Sequence, residues 1–310
     1  MAATSPAVSS EKQFLTRQRR EAIRGYLFAS PWIFGFVVLT LGPMLFSLYA
    51  SFTQYNIVDA PIWKGLDNYR FIFQHDPDFV TALQNTVWYV LVKTPIVILF
   101  SLLIAVLMNQ NIPGVKIFRT IFYMPTIITG VAAIFLWIWV LNPSGILNTV
   151  LGFFHIYQPL WFYDAKYSKA GLVVMSMWYI GSPMLILLAG LTGISRSLYE
   201  AAEVDGAGMF RKFWSITLPM LSPTLFFIVL TNVIGAFQVF NSAYVISTTA
   251  GSAAGDPRRS LLFYEVIIFQ HFKSFEMGYA SALAWILFVV ILAVTVVQLY
   301  LSKRWVHYES

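Results

Sequence analysis

Residues 198–219 read LYEAAEVDGAGMFRKFWSITLP. Three carboxylates (Glu200, Glu203, Asp205) and two bases (Arg211, Lys212) gather here, in a chain of which only 11% is charged. Such a cluster could serve catalysis, metal binding or docking, and the rest of the chain decides between them. There is no cysteine, which excludes disulfides, thiolate metal sites, iron–sulfur clusters and cysteine nucleophiles. The four histidines, His75, His155, His271 and His307, are scattered without metal-ligand spacing. No G-x-x-x-x-G-K-[ST] segment occurs, so no Walker loop can cradle ATP phosphates. A serine triad needs a buried acid and base close together, and the apolar runs offer neither. No catalytic residue and no metal ligand is expected, which leaves the cluster to serve at the lipid surface or in docking a partner.

The elements that position it are apolar. The chain has 310 residues, 58% of them hydrophobic, and a mean hydropathy of +0.69, against about 25% charged residues in an ordinary soluble domain. Runs of about 20 apolar residues fall at 26–50, 82–108, 119–141, 170–191, 221–246 and 277–301. Turn chemistry separates them, as at Pro113-Gly114, Asn142-Pro143-Ser144-Gly145 and Gly255-Asp256-Pro257. This predicts an all-α membrane protein with six transmembrane helices in one unit, 25–310, behind a basic and largely disordered tail, 1–24. The first run exceeds the 7 to 15 residues of a signal-peptide core, so a retained first span is expected. With the N-terminus inside, twelve Lys and Arg residues fall on inner segments and seven on outer ones. The positive-inside rule then places both termini and residues 195–219 in the cytoplasm. The net charge of +6 is accounted for by that inner belt, and no nucleic-acid partner is expected.

Within the insert, Ser197-x-x-Glu200 fits a capping box, which predicts a helix from Leu198. Gly206 suits the left-handed turn that would end it. Met209, Phe213 and Ile216, with Phe210 and Trp214 beside them, then recur at helical spacing, with Arg211, Lys212 and Ser215 opposite. That predicts a second, amphipathic helix closed by Pro219. Two readings remain open on these residues. The pair could lie in the lipid headgroups, or Ala201 and Ala202 could let a partner protein approach closely.

Polar residues inside the spans mark where a solute could pass. They are Trp178 and Tyr179 in the fourth span and Asn232, Gln238, Phe240, Asn241 and Tyr244 in the fifth. Helix–helix hydrogen bonds would use the amides equally well. Pro95, Pro125 and Pro183 each free a backbone carbonyl inside a span, either as packing kinks or as walls of a gated path. Lys93 lies eleven residues past Ala82, roughly 16 Å along a helix and near the middle of a 30 Å core. There it would snorkel, pair, or face the cavity and meet an anionic solute such as a uronate or phosphate. The spans hold almost no carboxylate for proton or sodium coupling, which disfavours a secondary carrier.

Glu200-Ala201-Ala202, Gly206 and Ile216-Thr217-Leu218-Pro219 together match the spacing EAA-x3-G-x9-I-x-L-P. This resembles the EAA loop of permease subunits in binding-protein-dependent ABC importers. Gly65 to Arg70, Phe118 to Pro125, Trp139 to Pro143 and Met277 to Ala280 are similar to the carbohydrate-uptake branch, and more narrowly to its maltose-type first permease. The resemblance runs from about Tyr26 to Tyr308. The chain lacks the extra N-terminal spans and large outer domain of the maltose permease, and is similar to the compact six-span members.

The resemblance implies a type I ABC importer permease fold whose cytoplasmic coupling helix seats in a cleft of an ATPase subunit. Glu200, Ala201, Ala202, Asp205, Gly206, Ile216, Leu218 and Pro219 would form that coupling element. It also implies a bacterial cytoplasmic (inner) membrane location and four kinds of partner: a second permease, two ABC ATPase subunits, an extracytoplasmic solute-binding protein and a carbohydrate. ATP and Mg would be bound by the ATPases and no cofactor by this chain. In maltose-type permeases the sugar rests halfway across, largely on the span after the EAA loop, which favours Asn232 and Gln238. The alternatives are a self-sufficient carrier or channel, and an ABC permease for a non-sugar solute.

Overall fold

The computed structural model describes residues 7–110, 113–128, 130–249 and 253–307, with side chains described from Arg19 onward. Helix α1 (Ala7–Phe36) passes through a π turn, Val37–Leu41, into α2 (Gly42–Ser51). A two-residue ladder follows, β1 (Thr53–Gln54) antiparallel to β2 (Ile62–Trp63), and then the short helix α3 (Asp67–His75). Helix α4 (Pro77–Met108) is one continuous rod. Helices α5 (Val115–Tyr123) and α6 (Val131–Val140) form one bent pair. After the short helix α7 (Ile146–Phe153), α8 (Ala165–Ser176) and α9 (Gly181–Gly193) form a second pair, bent by 47°. The insert contributes α10 (Arg196–Val204) and α11 (Met209–Lys212). Helices α12 (Leu218–Phe237), α13 (Asn241–Thr249), α14 (Tyr264–Lys273) and α15 (Met277–Ser302) complete the chain.

The six expected spans are therefore present as four helices long and apolar enough to cross a membrane and two broken pairs. The breaks follow from sequence. Pro125 lies in a 3-10 turn, Met124–Ile127, and Pro183 lies two residues into α9, just after the 3-10 turn Met177–Tyr179. Each lacks the N–H that would continue the ladder. Pro95, by contrast, sits inside unbroken α4. That helix starts cleanly because Asp76 caps it, its carboxylate accepting from the backbone N–H groups of Asp78 and Phe79.

Two expectations are corrected. The basic tail is helical from Ala7, not disordered, because 11–24 is built from good helix formers with no proline or glycine; residues 1–6, like Tyr308, lie outside the described residues. The segment between the last two spans is not an exposed connecting loop, since Leu261, Phe263, Tyr264, Val266 and Ile267 are fully buried. The Tyr264 N–H donates to Thr86 Oγ1 at 2.9 Å and its hydroxyl to Leu283 O at 3.1 Å, pinning α14 between α4 and α15. Asn85 donates to Arg259 O and Leu262 O, holding the strand of chain before α14.

The interior divides into two apolar clusters. One gathers Phe79, Tyr89, Leu172, Val233, Phe263 and Leu283 at the end of the bundle where α4 begins. The other gathers Val97, Ile104, Met184, Leu187, Leu221 and Leu225 at the end nearer the insert. On every shared helix the two meet across a polar step: Lys93 and Thr94 on α4, Ser176 to Tyr179 between α8 and α9, and Asn232 on α12. A polar waist thus crosses the middle of the bundle.

Candidate functional site

The insert is a rigid corner. Helix α10 begins at Arg196 with Ser195 as its cap residue, and no side chain accepts at that cap. The expected capping box does not form, because Ser197 already lies in the helix and its hydroxyl pairs with Ser195 Oγ at 2.8 Å. The exit does follow expectation: Gly206 has φ +73, the Ala207 N–H donates to Ala202 O at 2.8 Å, and the Gly206 N–H to Glu203 O at 3.0 Å. This pair of bonds is a Schellman turn. Lys212 Nζ donates to Glu203 Oε1 at 2.7 Å across the corner. That hydrogen bond and charge hold the Glu203 carboxyl below the usual carboxylate range. Lys212 therefore folds over the loop and is not on an outward polar face, as the periodicity predicted.

Pro219 does not close the second helix. The chain runs from α11 through a π turn, Phe213–Thr217, in which the Leu218 N–H donates to Phe213 O, and straight on into α12. Proline is tolerated at the second position of a helical turn, where its missing donor is not needed. The corner is thus the root of a transmembrane helix. Glu200, Ala201, Asp205 and Gly206 are exposed on it, while Ala202, Ile216, Leu218 and Pro219 are half-buried where it joins the bundle. Tyr199 and Thr217 share a hydroxyl hydrogen bond at 2.9 Å that ties α10 to this root.

The predicted path residues fall in different places. Lys93 Nζ donates to Asn232 Oδ1 at 3.0 Å, joining residues 139 apart in sequence. Lys93 and Tyr179 line a cavity of about 210 Å³ in the polar waist, with Tyr89, Ser176 and Ser242. Gln238 lies elsewhere, at the edge of a cleft of about 470 Å³ with Glu265, Phe240, Phe269 and Phe288. Burial raises the Glu265 carboxyl above its ordinary range. Tyr244 stacks on Phe240 at 5.3 Å and meets Phe269 edge-on at 5.0 Å beside this cleft. Asn241 is exposed at the start of α13. Trp178 packs edge-on against Trp137 at 5.7 Å, and both indole N–H groups are buried without a partner among the described residues.

Sequence reading missed Tyr89, Ser176, Ser242 and Glu265. Lys169, one residue outside the expected run 170–191, lies within α8 and donates to buried Asn85 at 3.1 Å. The available signal was the four-residue recurrence of Asn85, Tyr89 and Lys93 along one helix face. Among the described residues, no group of three or more His, Asp or Glu could hold a metal ion. A third, more polar cavity of about 750 Å³ opens at the end opposite the insert, with Gln54, Asn56, Asp59, Lys64, His271 and Glu276 on its walls.

Comparison with known proteins places this geometry. A family model described as "Binding-protein-dependent transport system inner membrane component" matches residues 86–307. The chain is 42% identical over 295 residues to the "Probable ABC transporter permease protein YesP" of Bacillus subtilis, covering 94% of each. It is 31% identical to the "Arabinooligosaccharides transport system permease protein AraP" of Halalkalibacterium halodurans, covering 89% of this chain and 87% of the relative. A chain of a bacterial alginate ABC transporter, crystallised with an alginate pentasaccharide-bound periplasmic protein, superposes with a TM-score of 0.80. That match has 22% identity and covers 93% of this chain and 96% of the other, which shows a shared fold.

Proposed function

Because the chain belongs to the family of binding-protein-dependent transport system inner membrane components, we propose that it forms, with a second permease, the translocation path of an ATP-driven importer for a sugar or oligosaccharide. The observation that carries this reading is the corner at 195–219. Its EAA face is exposed, its turn is fixed by backbone hydrogen bonds, and it continues without a break into α12, which bears Asn232. A force applied at Glu200–Ala202 is therefore delivered to the polar waist.

Two ABC ATPase subunits bind ATP and Mg and perform the hydrolysis, each permease seating its corner in one of them. An extracytoplasmic solute-binding protein docks over the polar cavity at the opposite end, where Asp59 and Lys64 on one segment and His271 and Glu276 on another present hydrogen-bonding groups. Both termini lie in the cytoplasm, following the distribution of Lys and Arg. The carbohydrate assignment is supported by the arabinooligosaccharide relative and by the alginate pentasaccharide carried by the binding protein of the structural neighbour.

Mechanistically, the waist lies between two apolar clusters that seal it on either side. Closure of the ATPases on ATP moves the corners, opening the path toward the loaded binding protein, and the solute leaves inward after hydrolysis. Reconstitution tests this. Uptake into vesicles requires ATP, the binding protein and all subunits together; uptake by this chain alone would identify a self-sufficient carrier and overturn the reading.

A further inference from the structure

Lys93 brings a charge to the midpoint of α4, the seventeenth of its 32 residues. It meets no carboxylate: its one hydrogen bond is to Asn232 Oδ1, and among the described residues none of the ion pairs includes it. An ammonium carries three donors, so two remain for something else. Ionisable groups at this depth pair with one another or face a cavity, and Lys93 faces the 210 Å³ cavity of the waist.

Lys169 repeats the pattern. Its ammonium donates to Asn85 Oδ1 at 3.1 Å and lies 5.0 Å from the centre of the Trp88 ring, again without a carboxylate. Asn85, Tyr89 and Lys93 recur every four residues and so lie along one face of α4. Asn85 is two turns, about 12 Å, from Lys93, toward the end opposite the EAA corner. Among the described residues, the seam between α4 and α8 thus holds two ammonium groups and no ion-paired acid, with the hydroxyls of Tyr89, Ser176, Tyr179 and Ser242 at the inner one.

We propose that this seam binds the acidic group of an anionic saccharide, its carboxylate pairing with Lys93, which Asn232 holds in place, while the hydroxyls of Tyr89, Ser176, Tyr179 and Ser242 meet the sugar hydroxyls. Lys169 is the first cation such a solute meets from the outer end. The inference rests on the saccharide-permease reading and deepens it by naming the substrate class. A neutral sugar would leave the ammonium uncompensated, whereas a carboxylate completes its coordination. The cavity is smaller than the roughly 300 Å³ at which pockets for whole drug-sized ligands begin. It therefore takes one charged sugar unit of a longer chain.

The test uses the assembled transporter in nanodiscs, titrated with digalacturonate and with the matched neutral disaccharide galactobiose, and read by tryptophan fluorescence. Binding-protein-stimulated ATP turnover is measured on the same samples. Digalacturonate should give a saturable response that is weakened about 10- to 100-fold in Lys93→Gln, as for the loss of a hydrogen bond to a charged group. Lys93→Arg should restore much of it, and galactobiose should bind far more weakly. Where Lys93→Gln does not assemble, Lys169→Gln decides, with a smaller loss expected. No response to digalacturonate, equal affinity for galactobiose, or unchanged binding in the glutamine variants would overturn the anionic site. If wild-type ATP turnover is stimulated normally in such a case, the permease reading stands; if it is not, that reading fails first.

Discussion

Replacing Gly206 separates the mechanics of the EAA corner from the stability of the bundle. Gly206 has φ +73, and a β-carbon built on it meets nothing within 4 Å. Substitution therefore brings no clash, only the cost of holding an L-residue in the left-handed region, about 1–2 kcal/mol. A penalty of that size shifts the population of the formed corner by roughly 5- to 30-fold. The alternative state is one in which the Ala207–Ala202 and Gly206–Glu203 hydrogen bonds are lost and α10 swings on its root. Asparagine tolerates this region and a β-branched residue does not. The expected order of binding-protein-stimulated ATP turnover in reconstituted transporter is therefore wild type, then Gly206→Asn, Gly206→Ala and Gly206→Val. The melting temperature should stay close to that of wild type, because the glycine is exposed and touches no core residue. Full coupling in the alanine and valine variants, or an asparagine variant as impaired as valine, would refute the argument.

Further outcomes follow from particular contacts. A β-carbon at Gly278 would lie far inside contact distance of the Thr53 carbonyl oxygen, so Gly278→Ala should cost about 1–3 kcal/mol by overpacking, seen as a lower melting temperature; an unchanged melt would mean the α15–β1 junction is looser than described. Asn85→Leu removes the donor to Arg259 O and Leu262 O and should destabilise the chain by about 1–3 kcal/mol through unsatisfied carbonyls, with amide exchange accelerating around 259–264 if the account holds. The Glu203 carboxyl is held low by Lys212, so the bridge is intact above the ordinary glutamate value of about 4.3 and is lost as pH falls through the depressed one. Glu203→Gln should thus speed exchange of the Gly206 and Ala207 amides at neutral pH, where wild type remains protected, and equal rates would remove the bridge from the account.

Much of this architecture was legible in the sequence because bilayer length is a strong constraint. The runs 82–108 and 277–301 coincide with long apolar helices, α4 and α15, whereas 221–246 begins inside α12 and runs past its end at Phe237 into α13. What escaped was shorter than that ruler. The segment SLLFYEVIIF, 260–269, is apolar but interrupted by Glu265 and too short to span, yet it is among the most buried parts of the chain. The EAA corner was found by spacing, and Gly206 by its turn chemistry. Its cap was misplaced by two residues because Ser195 and Ser197 are equivalent by residue type alone. Lys93 and Asn232 were each picked out as polar residues in apolar runs. Their contact, spanning 139 residues, needs the packing of α4 on α12, which no local pattern encodes. Gln238 was picked out on the same grounds and lies instead in a different cleft.

The central claim is that the exposed EAA face engages an ATPase subunit, and the absence of native cysteine makes it directly measurable. A single cysteine at exposed Ala201, joined by a short bifunctional reagent to the assembled transporter in membranes, should give one adduct containing this chain and the ATPase, changing in yield when ATP binds. A control cysteine at Val58, at the opposite end of the bundle, should give no such adduct. Modification of the Ala201 cysteine with no ATPase adduct in any nucleotide state would contradict the account.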